Sequence, residues 1–141
     1  MKNKFQQRLE MINFFYHHFV MNFHVKQTYK FFVTKKDFNE YQKKTIVFAF
    51  VNFAEIVALI EKNLTSKWSF NEIAHLEKSL LIIAISEFYE QNLPKNIIIS
   101  EAIKIIQKFS NGNSYAYINK ILDNTLNIQN KKKLFNKKSP I

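Results

Sequence analysis

The sequence predicts an all-α fold, a compact bundle of about six to seven helices. Three observations predict it. Apolar residues recur at steps of three and four along most of the chain, the period of a helix face. Fifteen Phe stand against a single Gly, which suits broad helical faces better than a turn-rich β fold. Polar or proline-containing breaks separate the periodic stretches at Leu64 to Trp68, at Pro94 and at Ser110 to Asn113.

Taken in order, residues 1–21 read as a first helix with Phe5, Leu9, Ile12, Tyr16 and Phe19 on its apolar stripe. A short helix through Tyr29, Phe32 and Val33 follows. Asp37 and Glu40 have the spacing of a capping box, so a long helix is expected from Asp37 to near Asn63. Its stripe is Ile46, Phe50, Phe53, Val57, Ile60 and Leu64. Ser69 and Glu72 repeat the capping spacing, with Trp68 as an apolar anchor before them.

The helix after Ser69 should be the centre of the molecule. Ile73, Leu76, Leu80, Ile83, Ala84 and Phe88 form one face, and Leu81, Ile82 and Ile85 a second, so it should be buried nearly all round. Beyond Pro94 a helix runs through Ala102, Ile103, Ile106 and Phe109. A last one carries Ile118, Ile121 and Leu122, with Asn113 or Ser114 as its N-cap. Residues 1–130 are expected to form one helical domain, and 131–141 a basic, solvated, disordered tail.

The motifs LEKSLLIIAISEF, LPKNIIISEAI and KFSNGNSYAYINKILD, in that order, resemble the NusB family of transcription antitermination factors. No single motif decides this; the ordered series does. Three positions depart from the family pattern. Ile82 stands where Arg is common, Ser100 where Asn usually precedes Glu-Ala, and Lys120 where Gly often follows the aromatic-x-Asn. Glu87 and Glu101 are retained, and a buried carboxylate needs a partner. Glu101 is expected to use the positive end of its own helix. Glu87, lacking the Arg, is expected to be partly exposed or to meet a Lys.

The composition narrows the function. The formal charge is +10, which suggests a polyanion partner. Arg8 is the only Arg among the basic residues, however, so placement matters more than the total. There is no Cys, hence no disulfide and no Cys-based zinc site. The most apolar run, Thr45 to Ile60, is interrupted by Asn52 and Glu55 and is shorter than the ~20 residues a bilayer requires. The N-terminus has no signal-peptide pattern, and a cytoplasmic protein is expected. His17, His18 and His24 lack suitably spaced carboxylates or Cys, so they read as helix positions rather than metal ligands. No nucleophile-base pair stands out, so an enzyme is not expected, and neither is a cofactor.

The resemblance implies an RNA-binding adaptor for boxA-type single-stranded RNA in rRNA transcripts. It implies the ribosomal protein NusE as partner, inside the RNA polymerase antitermination complex, with a homodimer as a further option. Residue by residue, Lys2, Lys4 and Arg8 are the expected phosphate contacts, and Asn111, Asn113, Tyr115 and Tyr117 the remaining RNA contacts. Tyr16 and Glu77 are the expected partner contacts. The front of the first helix should then lie beside the start of the last one. The other reading is a helical interaction module that kept the fold and lost specific RNA binding. The thin basic segment, with Gln6 and Gln7 where the family often has basic residues, favours it.

Overall fold

The computed structural model describes residues 2–64, 68–109 and 114–127. The expected basic tail lies outside the described residues. Among them are seven α-helices and one 3₁₀ turn, and no strand. The helices are α1 (Lys4–Val20), α2 (Val25–Thr34), α3 (Glu40–Val51), α4 (Phe53–Lys62), α5 (His75–Gln91), α6 (Lys95–Phe109) and α7 (Tyr115–Thr125).

The bundle is built on α5, which packs against α1, α3, α4, α6 and α7. Every residue from Glu77 to Glu87 is buried, so this helix has no solvent face over three turns. That continuous burial follows from its two apolar faces. Asn92, in the left-handed conformation at φ 55°, ends it. The Pro94 carbonyl then accepts the N–H of Ile98 at 3.2 Å as α6 begins.

Two kinds of packing fill the interior. Around α1, α2, α3 and α4 the core is aromatic. Phe14 meets Phe32 and Phe38 edge-on, and Phe15 lies 5.4 Å from Phe50. Around α5, α6 and α7 it is aliphatic, with Leu80, Ile83, Ile98, Ile105, Ile118 and Ile121 buried. Fully burying such a side chain contributes about 1.5–3 kcal/mol.

Four local expectations need correction. The helix expected from Asp37 to Asn63 is two helices that meet at Asn52. The Asn52 side-chain amide donates to the Phe48 carbonyl at 3.1 Å, and its backbone leaves helical geometry at φ −112°, ψ 22°. The capping box of α3 is Asn39 with Gln42, two residues past the expected Asp37 and Glu40. Phe38 is buried against Phe14 and Phe32, which fixes the entry of the chain there. Ser69 and Glu72 do form a capping box, but it opens the 3₁₀ turn Phe70–Glu72 and leaves Trp68 exposed rather than anchored. Finally, the buried face of α1 is Gln7, Arg8, Met11, Ile12, Phe15 and His18. Apolar residues surround much of α1, so several stripes fit the sequence, and the aromatic contacts with α3 and α4 select this one.

Candidate nucleic-acid and partner interface

Arg8 is only 6% exposed. Its Nε donates to Glu87 Oε1 at 2.8 Å, its Nη2 to Glu87 Oε2 at 2.9 Å, and its Nη1 to Glu101 Oε1 at 3.2 Å. The Tyr41 hydroxyl also donates to Glu87 Oε2. One guanidinium thus joins α1 to α5 and α6, with α3 tied in through the tyrosine. Burial works against the Arg8 charge, but hydrogen bonding to Glu87 and the charges of Glu87 and Glu101 raise its pKa on balance. Burial, then Glu87, also pushes the Tyr41 phenol above its ordinary range, so it stays a donor.

This geometry corrects three expectations. Glu87 is 1% exposed and meets an Arg, not a Lys. Glu101 sits in the middle of α6, away from the helix N-terminus, and pairs with Arg8 and Lys104. Arg8 holds the bundle together where a phosphate contact was expected. The two other N-terminal cations are also engaged, but at the surface. Lys2 binds Glu10 at 2.7 Å, and Lys4 lies 3.4 Å from the centre of the Tyr41 ring. Hydrogen bonding to Lys2 holds the Glu10 carboxyl below its ordinary pKa.

The tyrosines lie elsewhere. The Tyr117 hydroxyl donates to Glu77 Oε1 at the start of α5. Glu77 is 8% exposed, Tyr117 is half-buried, and Tyr115 is exposed. Burial, then Glu77, raises the Tyr117 pKa above the usual phenol value. Asn111 and Asn113 lie outside the described residues. Arg8 meets α5 at Glu87 and Tyr117 meets it at Glu77. At 1.5 Å per residue these points are about 15 Å apart along the helix. α1 runs antiparallel to α5, which sets Arg8 apart from Tyr117, while Phe5 near the front of α1 lies 5.3 Å from the Lys108 ammonium at the end of α6.

Tyr16 and Glu77 do come together. They share a groove of ≈ 630 Å³ with Leu9, Asn13, His75 and Phe109, between α1, α5 and α6. Glu77 also lines a second, more apolar groove of ≈ 470 Å³ with Leu64, Trp68, Ile73, Tyr117 and Lys120. The carboxylate is thus the wall between two surface depressions. Trp68 and Phe109 were missed as candidates. Their signal was weak, because Phe109 reads equally well as the apolar end of α6 and Trp68 as the apolar anchor before Ser69.

His17, His18 and His24 sit in three different settings. His18 is buried with its Nδ1 against the Thr28 hydroxyl, His24 precedes α2 as its N-cap, and His17 lines a surface groove. Burial and, to a lesser degree, the Lys78 charge push the His18 pKa down to about 4. Among the described residues, no group of three or more His, Cys, Asp or Glu gathers as a metal site. Among them too, no helix is long and apolar enough to cross a membrane.

The NusB family model matches residues 23–127. The chain belongs to the NusB family. Among relatives called transcription antitermination protein NusB, that of Fusobacterium nucleatum is 35% identical over 85 residues, 60% of this chain and 55% of its own length. That of Bacillus mycoides is 36% identical over 87 residues, 61% of this chain and 66% of its own. A Thermoanaerobacter NusB is 28% identical over 123 residues, 85% of this chain and 87% of its own. The solved T. maritima NusB superposes with a TM-score of 0.74 at 23% identity, covering 95% of this chain and 97% of that one, and this likeness shows the fold. The matched stretch spans roughly half to two thirds of the first relatives' length, 55% and 66% for the two named first. The buried carboxylate of α5 has an arginine partner, which Arg8 supplies from α1.

Proposed function

We propose that this NusB-family chain is a transcription antitermination factor that binds boxA-type single-stranded RNA of rRNA transcripts together with the ribosomal protein NusE. The observation that carries the reading is the groove lined by both Tyr16 and Glu77, with Tyr117 hydrogen-bonded to the same carboxylate. The relatives, called transcription antitermination proteins, support it.

The mechanism needs no covalent chemistry. NusE lies along the Tyr16–Glu77 groove, because a carboxylate repels phosphate and suits the N–H groups or cations of a protein. The RNA passes the start of α7, where the exposed Tyr115 and the edge of Tyr117 stack on unpaired bases at about 1–3 kcal/mol each. Asn111 and Asn113 take base edges there. Lys2 and Lys4 hold phosphates farther along the strand. Lys2 and Lys4 are themselves exposed and their partners Glu10 and Tyr41 partly so, and such surface contacts contribute only about 0–1 kcal/mol, so phosphate displaces them readily. Arg8 acts through the fold, by fixing α1.

The test is binding of boxA-like and scrambled RNA, with and without NusE, across a salt series. The reading requires tighter binding of boxA RNA when NusE is present. Replacing Lys2 and Lys4 by Ala should lower the slope of log K against log salt by about 0.7 for each. Equal affinity for both sequences under every condition would remove the RNA half of the proposal. If NusE still bound, the interaction-module reading would take its place. That reading rests on the internal partners of Lys2, Lys4 and Arg8.

A further inference from the structure

The outer face of α2 is unlike the rest of the surface. Only Thr28 and Phe32 of this helix are buried. Lys26, Lys30 and Val33 share one exposed strip, and Gln27, Phe31 and Thr34 the strip beside it. Phe31 and Val33 are 53% and 59% exposed, and Val20 and Met21 at the end of α1 are exposed as well. Phe31 leans on Phe23, with ring centres 5.5 Å apart. These rings and His17, Thr34 and Lys35 line a groove of ≈ 320 Å³ that shares no residue with the Tyr16–Glu77 groove.

The charge around this face is mostly positive, with the Glu10 carboxylate close enough to Lys35 to interact with it. From residue 11 to residue 36 there is no Asp or Glu, whereas Lys26, Lys30, Lys35 and Lys36 are all exposed. Asp37 stands at the border, paired with Lys35 at 3.7 Å. We propose that the α2 face is a second docking surface, for an acidic amphipathic segment of a protein partner. Apolar side chains of that segment fill the groove against Phe23 and Phe31, and its carboxylates meet the surrounding lysines. The aliphatic Val20, Met21 and Val33 gain from contact with apolar side chains and offer nothing for a base to stack on, which favours a peptide over RNA. The depression favours a protruding side chain over a flat bilayer.

The test uses fluorescence anisotropy with a labelled amphipathic peptide of about four turns, Leu and Phe on one face and Glu on the other. Its comparisons are a charge-reversed peptide with Lys for Glu, a scrambled peptide without an apolar face, oligo(U) RNA and phosphatidylserine vesicles. The acidic peptide should bind at least about tenfold tighter than either peptide comparison. Phe31→Ser with Val33→Ser should weaken it about tenfold, and Lys26→Glu with Lys30→Glu should weaken it with a smaller salt response. All four positions are exposed, and an unchanged far-UV spectrum confirms that the variants fold. Equal binding of the charge-reversed or scrambled peptide, or no loss in the Phe31/Val33 variant, overturns the proposal. So does lysine-dependent binding of oligo(U) or vesicles in preference to the acidic peptide, which would make the face a phosphate-binding one.

Discussion

Arg8 is the residue on which the most depends. It carries a buried positive charge between two carboxylates, and breaking such a pair leaves a charge with no compensation. Arg8→Met should therefore destabilise the fold by about 3–5 kcal/mol in urea unfolding. Arg8→Met combined with Glu87→Gln should lose less than the sum of the two single changes, because the orphaned charge is gone. This role was hidden in the sequence. A lone Arg among twenty Lys in a helix reads as one more surface cation, and only its distant partners, 79 and 93 residues away, reveal it. His18 gives a second prediction. Its folded pKa of about 4 lies below the ordinary 6.5, so between those values the unfolded chain binds the extra proton. Stability contributed by the neutral ring is full above about pH 6.5 and is lost as pH falls toward 4, on the order of 2–3 kcal/mol. Urea unfolding across that window should show a slope that His18→Gln flattens.

At the scale of elements, α5 was the most legible. An unbroken apolar run on two helical faces can only be buried, and the partners of that burial follow from the remaining stripes. Ile82 in its middle is fully buried, and Arg8 already serves Glu87. Restoring the NusB-type arginine by Ile82→Arg should cost at least about 3 kcal/mol, since it adds a second buried cation without a second free carboxylate. Circular dichroism melting would show it as a large drop in Tm. The break at Asn52 was the least legible element boundary. It lies in a run whose flanking residues are nearly all apolar, and the turn between α3 and α4 is made by one side chain competing for a backbone carbonyl. The start of α3 was misread for a related reason. Two cap pairs stand two residues apart, and burial of Phe38 chooses between them.

For the whole molecule, chain direction decides what the surface can do. Tyr117 and the Tyr16–Glu77 groove are adjacent because α7 runs parallel to α5 and both start at the same end, as Tyr117 on Glu77 and Tyr89 on Thr125 show. Arg8 meets α5 at the other end because α1 runs antiparallel. The family resemblance named Tyr16, Glu77 and Tyr117 as candidates, but residue types and spacing do not give helix directions, so which of them share a groove was not legible in the sequence. Docking of the protein partner in the Tyr16–Glu77 groove is the central proposal. Its most direct test is calorimetric titration of NusE into the wild-type chain and into Tyr16→Ala, an exposed position whose loss leaves the core intact. The account predicts an affinity weaker by at least about tenfold with an unchanged unfolding midpoint. An unchanged affinity would contradict it.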